Sequence, residues 1–115
     1  MEVIDRRVME RLQGNIGDDA FRSLATVLVD DLARLRNQIT DSLQDEDVER
    51  VRRTAHELKG VAGIFGAKAL QESCTDLMRS DEPQGTMRSM AEIAIAHCDA
   101  LRDFIRTDVL TPVAK

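Results

Sequence analysis

Apolar residues recur along the chain at intervals of three and four, interrupted by short polar or glycine-bearing breaks, a periodicity that predicts amphipathic helices rather than strands. Residues 2–13 carry Val3, Ile4, Val8 and Leu12 and predict a short covering helix, ending near Gly14 and an Asn15-Ile16-Gly17 turn. Phe21, Leu24, Leu28, Leu32, Leu35, Ile39 and Leu43 predict a long second helix with Asp18 or Asp19 as its cap. The acidic run Gln44-Asp45-Glu46-Asp47 breaks that stripe and supplies a cap for a third helix starting at about Val48. This helix continues through Val51, Ala55, Leu58, Ala62 and Phe65 to a break at Gly66. Leu70, Cys74 and Leu77 mark a fourth helix, ended by Ser80-Asp81-Glu82-Pro83. Beyond Pro83 and Gly85, a last helix carries Met87, Met90, Ile93, Ala94, His97, Leu101, Phe104 and Ile105, and Pro112 closes the ordered region.

Short connections favour antiparallel neighbours. The expected fold is therefore all-α: an antiparallel up-down-up-down four-helix bundle over residues 18–108, with a short extra N-terminal helix over residues 1–14 and a tail over residues 109–115. All 115 residues fit a single domain. Composition agrees, with 43% apolar residues but only 3% aromatic ones. A net charge of −5 argues against nucleic acid as a partner, because binding a phosphate backbone needs a basic face. No apolar run approaches the roughly 20 residues that cross a bilayer. No membrane partner and a cytoplasmic, monomeric protein are expected. Cys74 and Cys98 fall among apolar helical positions and are expected to be reduced core thiols.

The third helix is the informative one. On a helical wheel, Val51, Thr54, Ala55, Leu58, Val61, Ala62 and Phe65 gather on one side and His56 points the other way. Glu49, Arg52, Arg53, Lys59, Gly60 and Gly63 share its outward face, each within roughly 60° of the histidine direction. A surface histidine is most often merely solvated, and a basic run on a helix is most often a solubility face. Two glycines in an exposed helix are harder to dismiss, since each costs roughly 1 kcal/mol relative to alanine. Their missing side chains open a clearing beside the imidazole, and Lys59, one turn away, favours an anion there.

Residues 55–67, Ala55-His56-Glu57-Leu58-Lys59-Gly60-Val61-Ala62-Gly63-Ile64-Phe65-Gly66-Ala67, followed by Leu70, Cys74 and Leu77, resemble the histidine-containing phosphotransfer family. The resemblance is strongest over residues 52–78. It implies that His56 accepts a phosphoryl group, that Lys59 steadies it, and that Gly60 and Gly63 let a receiver domain dock. The shared face itself adds Arg52 and Arg53, which keep the surroundings positive, as further docking residues, and Ile64 at its edge is a docking contact or an ordinary core residue. Response-regulator receiver domains are the implied partners, with a hybrid histidine kinase upstream. No cofactor is expected on this chain, the Mg²⁺ ion being expected on the partner receiver domain. The family's usual Glu or Gln, twenty-two residues after the histidine, is replaced by Met78, which cannot hydrogen-bond the ring in the same way. Thr75, one turn earlier, is the candidate substitute.

Three other readings remain open on sequence grounds. The phosphorylatable domain of a chemotaxis-type histidine kinase shares the H-x-x-K-G motif, although a chain of this length is expected to be the relay carrier. A pure docking module would use the same face without turnover at His56. A metal-binding bundle using both histidines is the weakest, since His97 lies in line with Met90, Ala94, Leu101 and Phe104 and is expected to be a partly buried structural residue. Ile16 is a further candidate apolar contact. No P-loop or kinase-type glycine loop is present, so autophosphorylation from ATP is not expected.

Overall fold

A computed structural model describes residues 3–80 and 85–110. Among them are five α-helices and no strand: α1 (Arg6–Ile16), α2 (Asp18–Gln44), α3 (Val48–Ile64), α4 (Lys68–Arg79) and α5 (Thr86–Phe104). A single π-helical turn, Ile105–Val109, extends α5, with the Leu110 N–H donating to the Ile105 carbonyl. α2 packs on α3, α3 on α4, α4 on α5, and α5 returns to α2, while α1 lies against α2. The described residues form a rod of 49 × 22 × 21 Å.

The apolar stripes meet inside this ring. Leu28, Leu32, Leu35 and Ile39 of α2 are buried with Val51, Ala55, Leu58 and Ala62 of α3. Leu70, Cys74 and Leu77 join them from α4, and Met87, Ala91, Ala94, Cys98 and Leu101 from α5. Removing such side chains from water is the main source of stability in a bundle with so few aromatics. Phe21 and Phe65 stack with ring centroids 5.3 Å apart where the start of α2 meets the end of α3. Among the described residues, no helix is long and apolar enough to cross a membrane.

Two boundaries differ from expectation. α1 does not stop at Gly14. It begins after Asp5, whose carboxylate accepts the Arg7 N–H, and runs on to Ile16. Neither Asp18 nor Asp19 caps α2; the cap is Gly17, at φ +86°, and both aspartates sit in the first turn. There their charges still favour the helix's positive end without a capping hydrogen bond. Gly17 thus ends one helix and begins the next, which leaves no separate turn for residues 15–17 to form.

α3 starts at Val48 as expected, with the Asp47 carboxylate accepting the Arg50 N–H at 3.1 Å. It ends in a Schellman motif: the Ala67 N–H donates to the Ala62 carbonyl, the Gly66 N–H to Gly63, and Gly66 takes φ +67°. The Asp5 N–H donates to the Gly66 carbonyl, tying the start of α1 to this turn. α4 ends at Arg79, before Ser80. The expected turn through Asp81, Glu82 and Pro83 and the closure at Pro112 lie outside the described residues. Helical structure persists to Val109, and the Arg22 guanidinium donates to the carbonyls of Val109 and Leu110 at 3.0 Å each.

Candidate functional site

The core face of α3 fixes the direction of its opposite face. Val51, Thr54, Ala55, Leu58 and Ala62 are buried, Val61 is half-buried at the margin, and His56 is exposed. No hydrogen bond or ion pair reaches the His56 ring among the described residues, so the imidazole is presented to solvent by a helix anchored on its other side.

The two flanks of His56 differ. On the α2 side, Glu57 pairs with Arg34 at 2.6 Å, and Arg34 also approaches Asp31 at 3.6 Å. The hydrogen bond to Glu57 is the main reason the Arg34 guanidinium holds its proton even more tightly than usual. Both partners are about half exposed, so the pair shapes the local charge more than it stabilises the fold. A Cβ added at Gly60 would meet nothing within 4 Å, so this part of the helix surface is open.

On the α4 side the surface is occupied. A Cβ at Gly63 would lie 2.9 Å from the side-chain amide nitrogen of Gln71. Lys59, half-buried, lines a groove of about 430 Å³ between α3 and α4 together with Lys68, Gln71, Glu72, Thr75, Asp76 and Arg79. Arg52 is drawn into the fold: its guanidinium donates to the Ser80 carbonyl at 2.7 Å and to Glu49 at 3.3 Å, joining the start of α3 to the end of α4. Arg53 remains exposed, whereas Ile64 is half-buried and packs against the core.

Two cross-helix contacts, Gly63 with Gln71 and Arg52 with Ser80, set the register of α3 against α4. Stepping Gly63 back by two turns and Gln71 forward by two brings His56 level with Met78, and the same register puts Lys59 level with Thr75. The Thr75 hydroxyl donates to the Gln71 carbonyl of its own helix at 3.0 Å. That proton is therefore committed, and only the oxygen's acceptor capacity faces outward. Sequence reasoning passed over Gln71, Glu57 and Arg34. Gln71 and Arg34 lie on other helices, and no local spacing signals a partner 8 or 23 residues away.

His97 serves the scaffold. It is half-buried, with Nδ1 2.5 Å from the Ser73 hydroxyl oxygen, and that hydroxyl in turn reaches the Ala69 carbonyl at 2.9 Å. The Ser73 hydroxyl thus bridges the Ala69 carbonyl and the ring, and the contact ties α5 to α4. Cys74 and Cys98 are buried free thiols, and burial pushes both up to about 12. Such thiols are poor nucleophiles and poor metal ligands. No group of three His, Cys, Asp or Glu side chains able to hold a metal ion occurs among the described residues.

The family model described as "Hpt domain" matches residues 23–106, which include the whole of α3 and α4. The fold is similar to the crystal structure of histidine-containing phosphotransfer protein B (HptB) from Pseudomonas aeruginosa PAO1. That comparison gives a TM-score of 0.85 at 24% sequence identity, covering 94% of this chain and 95% of that one. No curated protein matches the chain.

Proposed function

The chain belongs to the Hpt-domain family, and from that premise we propose that it accepts a phosphoryl group on His56 from a receiver-domain aspartyl phosphate and passes it to the aspartate of another receiver. As a histidine phosphotransfer domain it is a carrier in a phosphorelay, and proteins of this family work with receiver domains. The observation that carries the assignment to His56 is its exposed ring on α3, with Lys59 one turn away and the open helix surface at Gly60 beside it.

The chemistry follows from a neutral imidazole. The lone pair of one ring nitrogen forms a bond to phosphorus as the P–O bond of the acyl phosphate breaks, and the electron pair leaves with the receiver's carboxylate. The attacking ring nitrogen is the one that carries the lone pair and no proton, so no separate base is required to make the nucleophile. Phosphoryl transfer depends chiefly on positioning and charge stabilisation, which Lys59 supplies from this chain and a divalent ion supplies from the receiver's acidic pocket. Gly60 leaves room for the receiver's phosphorylated aspartate, while Gly63, Arg53 and Ile64 border the docking face. Arg52 contributes mainly by holding α3 to α4. The four long helices are best read as an up-down-up-down bundle, since each connection is short. A cytoplasmic address, a monomeric state and a hybrid kinase upstream belong to the same proposal.

Met78, level with His56, favours one second reading, in which the same face docks a receiver but the ring is never phosphorylated. Incubating the domain with radiolabelled phospho-receiver separates the two. Acid-labile label on the wild type but not on His56→Gln supports the carrier, whereas stable binding without label supports the docking module. Replacing the phospho-receiver by a kinase catalytic domain and ATP tests the alternative donor.

A further inference from the structure

Glu57 follows His56 directly on α3, so the phosphotransfer reading places a carboxylate next in the chain to the residue that must receive an anion. Gly60, whose surface is open, lies one turn further on, at helical-neighbour spacing from both His56 and Glu57. A Glu57 side chain left to itself is therefore free to swing over the bare surface beside the ring. Its own helix also offers a cation at ordinary spacing, Arg53, four residues earlier. Glu57 instead turns to α2: its Oε2 accepts a hydrogen bond from Arg34 Nη2 at 2.6 Å, from 23 residues away in sequence. Asp31, one turn earlier on α2, approaches the same guanidinium at 3.6 Å and helps to aim it. The raised pKa of Arg34, caused first by the hydrogen bond to Glu57, agrees with a charge-assisted contact.

We propose that Arg34 is a positioning residue for phosphotransfer, holding the Glu57 carboxylate at the α2–α3 seam so that it neither covers the open surface at Gly60 nor repels the incoming phosphoryl group. The inference rests on the assignment of His56 as phosphoacceptor. A phosphoryl group carries about two negative charges near neutral pH, so an unmatched carboxylate on the neighbouring residue opposes its arrival. Paired with Arg34, Glu57 presents little net charge to the approaching group. Removing Arg34 both unmasks that charge and releases the side chain from the seam. Lys59 supplies an attraction on one flank of His56, whereas Arg34 removes a repulsion on the other. Arg34 thus acts through Glu57 and not by touching the phosphoryl group.

Single-turnover transfer from a labelled phospho-receiver to the full chain, at low and at high salt, tests the proposal. Arg34→Gln should be about two- to fivefold slower than wild type at low salt, and the deficit should shrink at high salt as the unmasked charge is screened. Arg34→Lys, which keeps the positive charge, should retain most of the rate. Glu57→Gln should match or exceed wild type, and in that background the loss caused by Arg34→Gln should largely vanish. Both residues are about half exposed, so the variants are expected to fold, with circular dichroism as the check. A wild-type rate in Arg34→Gln overturns the proposal. So does a loss that persists undiminished in the Glu57→Gln background, which would mean that Arg34 touches the receiver itself. A wild type that takes up no label overturns the assignment of His56 and the proposal together, an outcome distinct from the other two.

Discussion

The amide nitrogen of Gln71 lies 2.9 Å from where a Cβ on Gly63 would be, while the same construction at Gly60, one turn closer to His56, meets nothing. Two glycines that look equivalent in sequence therefore do different things. Gly63 makes room for a neighbouring side chain of the same protein, and Gly60 leaves bare helix surface.

Gly60→Ala should accordingly stabilise the domain by about 0.5–1 kcal/mol, the usual gain for an exposed helical glycine, and slow transfer from a receiver. Gly63→Ala should change stability by less, because the helix gain is offset by displacement of the flexible end of Gln71. Urea denaturation and single-turnover transfer on both variants check the pair. Equal effects at the two positions would contradict the distinction.

Much of the architecture was legible because helices bury one face at a fixed period. The stripe from Phe21 to Leu43 gave α2, the Asp47 cap placed the start of α3 at Val48, and the spacing of Val51, Leu58 and Ala62 sent His56 outward. What escaped depends on contacts that local pattern does not encode. Asp18 and Asp19 have the right chemistry for a cap, yet the backbone of Gly17 at φ +86° takes that position. Arg52 was expected among the docking residues because it shares His56's face, but a carbonyl 28 residues away draws it into the joint between α3 and α4. The role of Gly63 likewise depends on a glutamine from the next helix.

Gly66 closes α3 at φ +67°, and a Cβ there would come within 3.0 Å of the Cβ atoms of both Asp5 and Val8. Gly66→Ala should cost about 1–3 kcal/mol, from left-handed strain together with displacement of α1. A fall in thermal midpoint, with faster exchange of the Asp5 amide proton bonded to the Gly66 carbonyl, is the expected signature.

Arg52 and Arg53 are neighbours in sequence with opposite expected behaviour. Arg52→Ala should lower stability by about 1 kcal/mol, through loss of the hydrogen bond to Ser80. Arg53→Ala should leave stability unchanged and weaken receiver association, more so at low salt than at high salt. Denaturation curves and binding measured at two ionic strengths separate the two roles.

Burial raises the Cys74 and Cys98 thiols to about 12 from an ordinary value of 9.0. A group whose folded value lies above its unfolded one contributes stability that is complete below pH 9 and is lost as pH climbs toward 12. Stability should fall across that window by at most about 1.4 kcal/mol per pH unit for each thiol. Cys74→Ala and Cys98→Ala should each flatten the decline, as followed by denaturation between pH 8 and 11. Neither thiol should react with a disulfide reagent in the native protein at pH 8.

The most direct test of the account is transfer of labelled phosphate from a charged receiver domain to wild type and to His56→Gln, both confirmed as folded. The account predicts acid-labile, base-stable label on the wild type that maps to the peptide containing His56, and none on the variant. Label that persists in His56→Gln, or a wild type that stays unlabelled by every receiver that binds it, would contradict it.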